Sequence, residues 1–189
     1  MRANKRDELV QKALSVFYLN GFHATGMDML VKETGISKTS MYKHFKTKED
    51  LILASLRLRD ELFRNMIQRR QEELSETPKG QVLALFDVLG EWFNSPEFHG
   101  CMFIKASSEF QEPNHPIRRQ SAEHKLLLAE HIEKLLVLAG YDNTNTLTRQ
   151  LMVLKEGAII AAHVSQSETA AQDAKTIAET ILEGANPKS

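Results

Sequence analysis

Between Gly35 and Asp50 the chain reads GISKTSMYKHFKTKED, a run crowded with lysines and hydroxyl side chains around a few apolar residues. Ile36, Met41 and Phe45 recur at helical spacing, and Ser37 stands where a helix would begin. With Met41 and Phe45 turned inward, Thr39 and Lys43 project the opposite way, flanked by Lys38, Ser40, Tyr42 and His44. Ammonium and hydroxyl groups in this array can pair with phosphate oxygens or base edges. A tyrosine can lay its ring on a sugar while its hydroxyl reaches a phosphate. Lys48 follows in the first turn of the next helix, whose free amides also attract anions. The chemistry on offer is recognition of a polyanion. There is no Ser-His-Asp set, no phosphate-cradling glycine loop and no paired carboxylate site, so neither an enzyme nor a cofactor is expected. A thiol hydrolase built on Cys101 with His99 or His115 lacks a defined oxyanion arrangement.

Charge along the chain agrees. The net charge is only -1, yet residues 1–70 hold 14 Lys and Arg against 8 Asp and Glu, while the remainder holds 10 against 17. A basic amino-terminal part is thus set against an acidic remainder, as expected if only the first meets a polyanion. The composition, 42% hydrophobic and 26% charged, is that of a globular chain. No secretory pattern and no apolar run of about 20 residues is present. The single cysteine leaves no intrachain disulfide, and a cytoplasmic location without a membrane partner is expected.

The elements that must position the cationic run are helices, since apolar residues recur at three and four rather than two. The periodicity predicts a first helix over Asn4–Asn20 with Val10, Ala13, Leu14 and Phe17 inward, ended by Gly21 in the left-handed conformation. A second should start at Thr25, whose hydroxyl caps it while Asp28 reaches back, and end at Gly35. Ser37 caps a third, to Phe45, and Thr47 with Asp50 caps a long helix to about Ser75. Further helices are expected over Gly80–Phe93, Phe98–Gln111, Ile117–Ala139, Thr144–Val164 and Ser167–Glu183, with a frayed tail after Gly184. The expected fold class is all-α, about nine helices. Two helices joined by a tight glycine turn, the second short and exposed, make a helix-turn-helix whose second helix enters the DNA major groove.

The stretch FYLNGFHATGMDMLVKETGISKTSMYKHFKTKEDL, from Phe17 to Leu51, resembles the TetR family of bacterial transcriptional regulators. The resemblance rests on Gly21 with Phe22, Thr25, Gly35, and the frame of Tyr42, Phe45 and Lys48. It implies a DNA-binding helix-turn-helix domain over residues 1–47, joined by a long helix to an effector-binding and dimerisation domain over 48–189. The family's equivalents of Thr25, Tyr42 and Lys48 contact backbone phosphates, and those of Ser37, Lys38, Thr39, Ser40, Lys43 and His44 contact bases or phosphates. Thr39 departs from the glycine, proline or alanine common there. GCMFIKASSEF and LKEGAIIAAHVS look like segments of the family's AcrR-like members. The implied protein is a homodimeric repressor in the bacterial cytoplasm, associated with the nucleoid. A small-molecule effector would release it from a palindromic operator.

Residue chemistry suggests where these further roles would sit. Small residues striping two helices, Gly157, Ala158, Ala161 and Ala162 on one and Ala171, Ala174, Ala178 and Ile181 on the other, allow close approach across a two-fold axis or within one chain. For a ligand pocket the aromatic and soft residues are Phe86, Trp92, Phe93, Met102, Phe103, Phe110 and Met152. His124 and His131, seven apart beside Leu128, either meet a polar ligand group or line a solvated flank. No third ligand completes a metal site with them. Cys101, with Lys105 one turn on and His99 nearby, is either a buried small hydrophobe or a redox-responsive thiol, the alternative trigger.

Overall fold

The computed structural model describes residues 4–185, and the described residues fold into nine α-helices. These are α1 (Lys5–Asn20), α2 (Met27–Thr34), α3 (Lys38–His44), α4 (Lys48–Leu74), α5 (Pro78–Phe93), α6 (Met102–Glu109), α7 (Pro116–Leu138), α8 (Thr144–Val164) and α9 (Ala170–Gly184). Beyond Ala185 the expected frayed tail lies outside the described residues. The chain divides into two compact units. One gathers the residues up to Phe63 with Cys101–His124; the other gathers Arg64–Gly100 with the residues from Lys125 onward.

In the first unit the helix ends are set by identifiable caps. Ser37 accepts from the Ser40 amide at 3.2 Å and opens α3. Thr47 and Asp50 form a reciprocal box at the start of α4, each side chain taking the other's amide at 3.0 and 3.1 Å. Gly35 ends α2 with φ 70° and ψ 12°, the left-handed conformation that costs glycine least. Two expectations are corrected. α2 is capped at Gly26 with no side-chain bond, because the Thr25 hydroxyl turns back to the Gly21 carbonyl at 2.6 Å. Gly21 has a positive φ of 80° but an extended ψ of 174°, so the chain leaves α1 straight instead of curling. The buried face of α1 carries Leu9, Val10, Ala13, Val16, Phe17 and Tyr18, wider than the four residues expected, with Leu14 only half-buried.

In the second unit α9 packs on α5 and α8. Ala174 and Ala178 are buried on α9, and Ala158 on α8. The approach is close enough that a methyl group added at Gly90 of α5 would meet the Ala171 Cβ at 3.4 Å. Lys175 of α9 donates to both carboxylate oxygens of Asp87 on α5 at 2.8 Å. Lys125 of α7 and Lys155 of α8 each reach Glu156 at 2.6 Å. Burial disfavours the charged carboxylate, but the two ammonium groups outweigh it and hold Glu156 below its usual range. α6 begins four residues later than Phe98. Gly100 adopts φ 80°, with the His163 ring so near that a Cβ would lie 2.6 Å from it, which breaks any helix running through this point.

His131 donates from Nε2 to Gln71 Oε1 at 2.8 Å, while the Gln71 amide donates to the Gln81 carbonyl at 2.8 Å, tying α7, α4 and α5 together. Gln71 therefore requires a ring that carries its proton on Nε2. Burial, with Lys134 adding repulsion, lowers the His131 pKa below the ordinary 6.5. The unfolded chain binds this proton at higher pH than the folded one, so the contribution is fully present above the ordinary value and is lost as pH falls through it. The urea midpoint is expected to drop between about pH 7.5 and 5.5, and to drop less in His131→Gln, which keeps a donor but cannot titrate. Ala178→Leu should overpack the α9 contact and cost about 1–3 kcal/mol, read from the same denaturation curves.

Candidate nucleic-acid interface

α3 is too short to persist alone, and its inward side chains hold it. Met41 is 1% exposed and Phe45 7%, and the guanidinium of Arg6 covers the Phe45 ring at 4.9 Å from its centroid. With those residues committed, the remainder of the helix faces outward. Lys38, Thr39, Tyr42, Lys43 and His44 are exposed and Ser40 half-buried. Lys46, exposed in the turn after α3, adds a cation that the sequence pattern had not singled out. The exposed Asp28 carboxylate lies 3.9 Å from the Lys38 ammonium, a distance at which water screens most of the attraction. The arrangement presents several mobile cations and hydroxyls on a rigid stub, suited to phosphate oxygens and base edges.

The two residues flanking the stub are placed differently. Thr25 is fully buried, its hydroxyl spent on Gly21. Lys48 is half-buried, and its ammonium donates to the carbonyls of Phe22 and Thr25 at 3.0 and 3.1 Å. In the structure, Lys48 thus closes the turn between α1 and α2 and seats α4 against it.

The long-range contacts of three residues in this unit were not legible in the sequence. Glu109 of α6 accepts from the Phe22 amide at 2.9 Å and the His23 amide at 2.5 Å. Lys105 donates to the Tyr18 carbonyl at 3.1 Å. Asp60 of α4 pairs with His124 Nδ1 at 2.7 Å. Each links residues more than 60 positions apart, and no local spacing marks them.

The expected pocket residues divide between the units. Met102, Phe103, Phe110 and His124 belong to the first, all buried; the Phe103 ring stacks on His124 with centroids 3.7 Å apart. His124, only 1% exposed, is therefore no solvated flank. Phe110 sits instead against His23 at 4.6 Å and Phe22 at 6.1 Å, beside the turn. Phe86 and Leu128 are buried in the second unit, where Trp92, Phe93, His131 and Met152 are half-buried. Among the described residues no group of three or more His, Cys, Asp or Glu could hold a metal ion, and no helix is long and apolar enough to cross a membrane.

Cys101 is buried at the amino-terminal end of α6. Reactive thiols need access and a nearby cation. Here the Lys105 ammonium, its pKa lowered by burial, is directed to the Tyr18 carbonyl. The redox reading finds no support.

Known proteins resemble both the head and the whole chain. The family model for bacterial regulatory proteins of the tetR family matches residues 9–55. The regulator YjdC of Escherichia coli is 25% identical over 180 residues, covering 94% of this chain and 93% of its own. The biofilm operon negative regulator IcaR of Staphylococcus aureus is 24% identical, covering 90% and 91%. Among solved structures, SCO4454 of Streptomyces coelicolor, a TetR-family transcriptional regulator, superposes with a TM-score of 0.88 at 29% identity, covering 95% of this chain and 89% of its own.

If the Lys48 ammonium is structural, Lys48→Met should leave two carbonyls without a donor. A loss of about 1–3 kcal/mol is expected on thermal or urea unfolding in the absence of DNA. Unchanged stability would return Lys48 to a purely external role.

Proposed function

Because the chain belongs to the TetR family of bacterial transcriptional regulators, DNA-binding proteins and not enzymes, we propose that it is a homodimeric repressor of a palindromic operator, released by a small molecule. The observation that carries this reading is the outward cationic face of α3, fixed by the burial of Met41 and Phe45. Residues 1–47 would read DNA. Thr39 and Lys43 lie at the centre of the readout face with Lys38, Ser40, Tyr42 and His44 around them, and Ser37 presents the first amides of α3. Thr25 and Lys48 would support the backbone contacts from behind. Repression is favoured by the negative role that IcaR bears in its name.

One short helix reads few base pairs, so a pair of copies on two half-sites is the economical arrangement. The small-residue stripes need revision as its surface. Ala158, Ala174 and Ala178 are consumed within the protomer. Gly157 is exposed and Ala161, Ala162, Ala171 and Ile181 are half-buried. Beside them stand Val153, Ile160 and Val164 on α8, at 72%, 43% and 70% exposure, and Ile177 on α9 at 48%. Val153, Gly157, Ile160 and Val164 are spaced by four, three and four, which aligns them along one helix face. An apolar stripe this exposed, next to an alanine-rich one, suits a second copy of the same surface.

Within residues 48–189, the buried aromatic and soft residues above are the candidates to hold an effector. It would weaken DNA binding only by the ratio of its affinities for the DNA-bound and the released arrangements of the dimer, a coupling on the order of 1–3 kcal/mol.

Selection of duplexes from a random pool should yield inverted half-sites whose centres lie about one helical turn, or a multiple, apart. Retention of scrambled duplexes as strongly as the selected ones would overturn DNA recognition. Val153→Glu combined with Ile160→Arg should produce monomers by light scattering and weaken operator binding by about tenfold or more. Lys43→Ala should lower the slope of log affinity against log salt by about one if Lys43 meets a phosphate, and relax one position of the selected site if it meets a base.

A further inference from the structure

Apart from the face of α3, the first unit carries a groove of about 370 Å³ between the start of α1 and the first half of α4. That volume is at the small end of ligand pockets, which run roughly 300–1,000 Å³. Each helix contributes a cation, an anion and an apolar side chain: Arg6, Asp7 and Val10 from α1, and Arg57, Glu61 and Leu58 from α4. Val10 is buried and Leu58 half-buried, so the two make an apolar floor with charged groups around it. Both guanidiniums are braced from outside the groove. Arg6 lies over the Phe45 ring, and Arg57 donates from Nε to Oε1 of the buried Gln120 at 3.1 Å, which leaves the rest of its fork for another acceptor. Glu61 stands one turn beyond Arg57, the spacing of an intrahelical ion pair, yet Arg57 turns to Gln120 instead. Among the described residues no hydrogen bond or ion pair engages the Glu61 carboxylate. Asp7 meets only the flank of Arg6, at 3.6 Å, with both side chains well exposed.

This pattern of charge selects among ligands. A phosphate or a nucleotide would meet two carboxylates as well as two guanidiniums, and a hydrocarbon would cover charged groups and satisfy none. A dipolar molecule with a short apolar body suits both signs at once: its carboxylate on the guanidiniums, its ammonium on the carboxylates, its side chain on Val10 and Leu58. We propose that the groove is a binding site for an α-amino acid with an apolar side chain, anchored by Arg57 and Glu61. It shares no residue with those put forward for the effector, and it stands independently of the DNA-binding reading.

Titration calorimetry of the full chain with L-leucine and L-phenylalanine tests this, beside isocaproate, which keeps only the carboxylate of leucine, and isoamylamine, which keeps only the amine. At least one amino acid should bind with a Kd of about 1 mM or tighter, and each one-charge analogue about tenfold or more weaker. Glu61→Ala and Arg57→Met, both at exposed side chains of a long helix, should each weaken the amino acid by about tenfold or more. Bound amino acid should slow amide exchange over residues 6–10 and 54–61. An analogue that binds as well as its parent overturns the proposal. So does affinity that is unchanged in Glu61→Ala, or slowed exchange confined to the second unit. If neither amino acid binds at about 10 mM, the groove is a solvated surface and the proposal falls, with the reading of α3 untouched.

Discussion

A seven-residue helix cannot sustain itself in water, because nucleation fixes more dihedrals than so few hydrogen bonds repay. α3 exists only because Met41 and Phe45 are taken into the core of the first unit, and that requirement fixes its rotation about its own axis. The outward set of Lys38, Thr39, Tyr42, Lys43 and His44 is a consequence. A polar run that looks like a surface linker in one dimension becomes an outward cationic helix face once two side chains pin it. Ser37 and Gly35 at its entry supply the bonds and the positive φ that let so short an element begin cleanly.

The same accounting of backbone groups explains the neighbouring turn. Leaving α1 through an extended glycine, the chain runs outside any helix from Gly21 to Gly26 and carries its amides and carbonyls with it. Charged side chains on α4 and α6 meet them, with hydrogen bonds to ions stronger than neutral ones. Lys48 illustrates how a residue type suited to an external anion can be claimed by internal acceptors.

The second unit shows a division of small and branched residues by use. Alanines at 158, 174 and 178 allow α8 and α9 to approach within one chain, while valine and isoleucine remain outside at 153, 160, 164 and 177. Alanine's lack of side-chain bulk suits a tight fixed contact. Exposed branched residues along a helix instead retain a hydrophobic drive to associate.

Local signals were legible in the sequence wherever the cause was local. The Ser37 cap, the Thr47 and Asp50 box, the glycine stop at Gly35 and the inward pair Met41 and Phe45 each depend on residues within a few positions, and the structure repeats them. Helical periodicity likewise marked the all-helical class, and the motif from Phe17 to Leu51 lies within the stretch that the tetR family model matches. The late start of α6 behind Gly100, and the pairing of Glu109, Lys105 and Asp60 with distant partners, belonged to the tertiary structure. Those outcomes turn on which groups arrive from more than 60 residues away to compete for one carbonyl, amide or ring. Spacing along a chain records helix faces, but it holds no information about what another helix will bring to them.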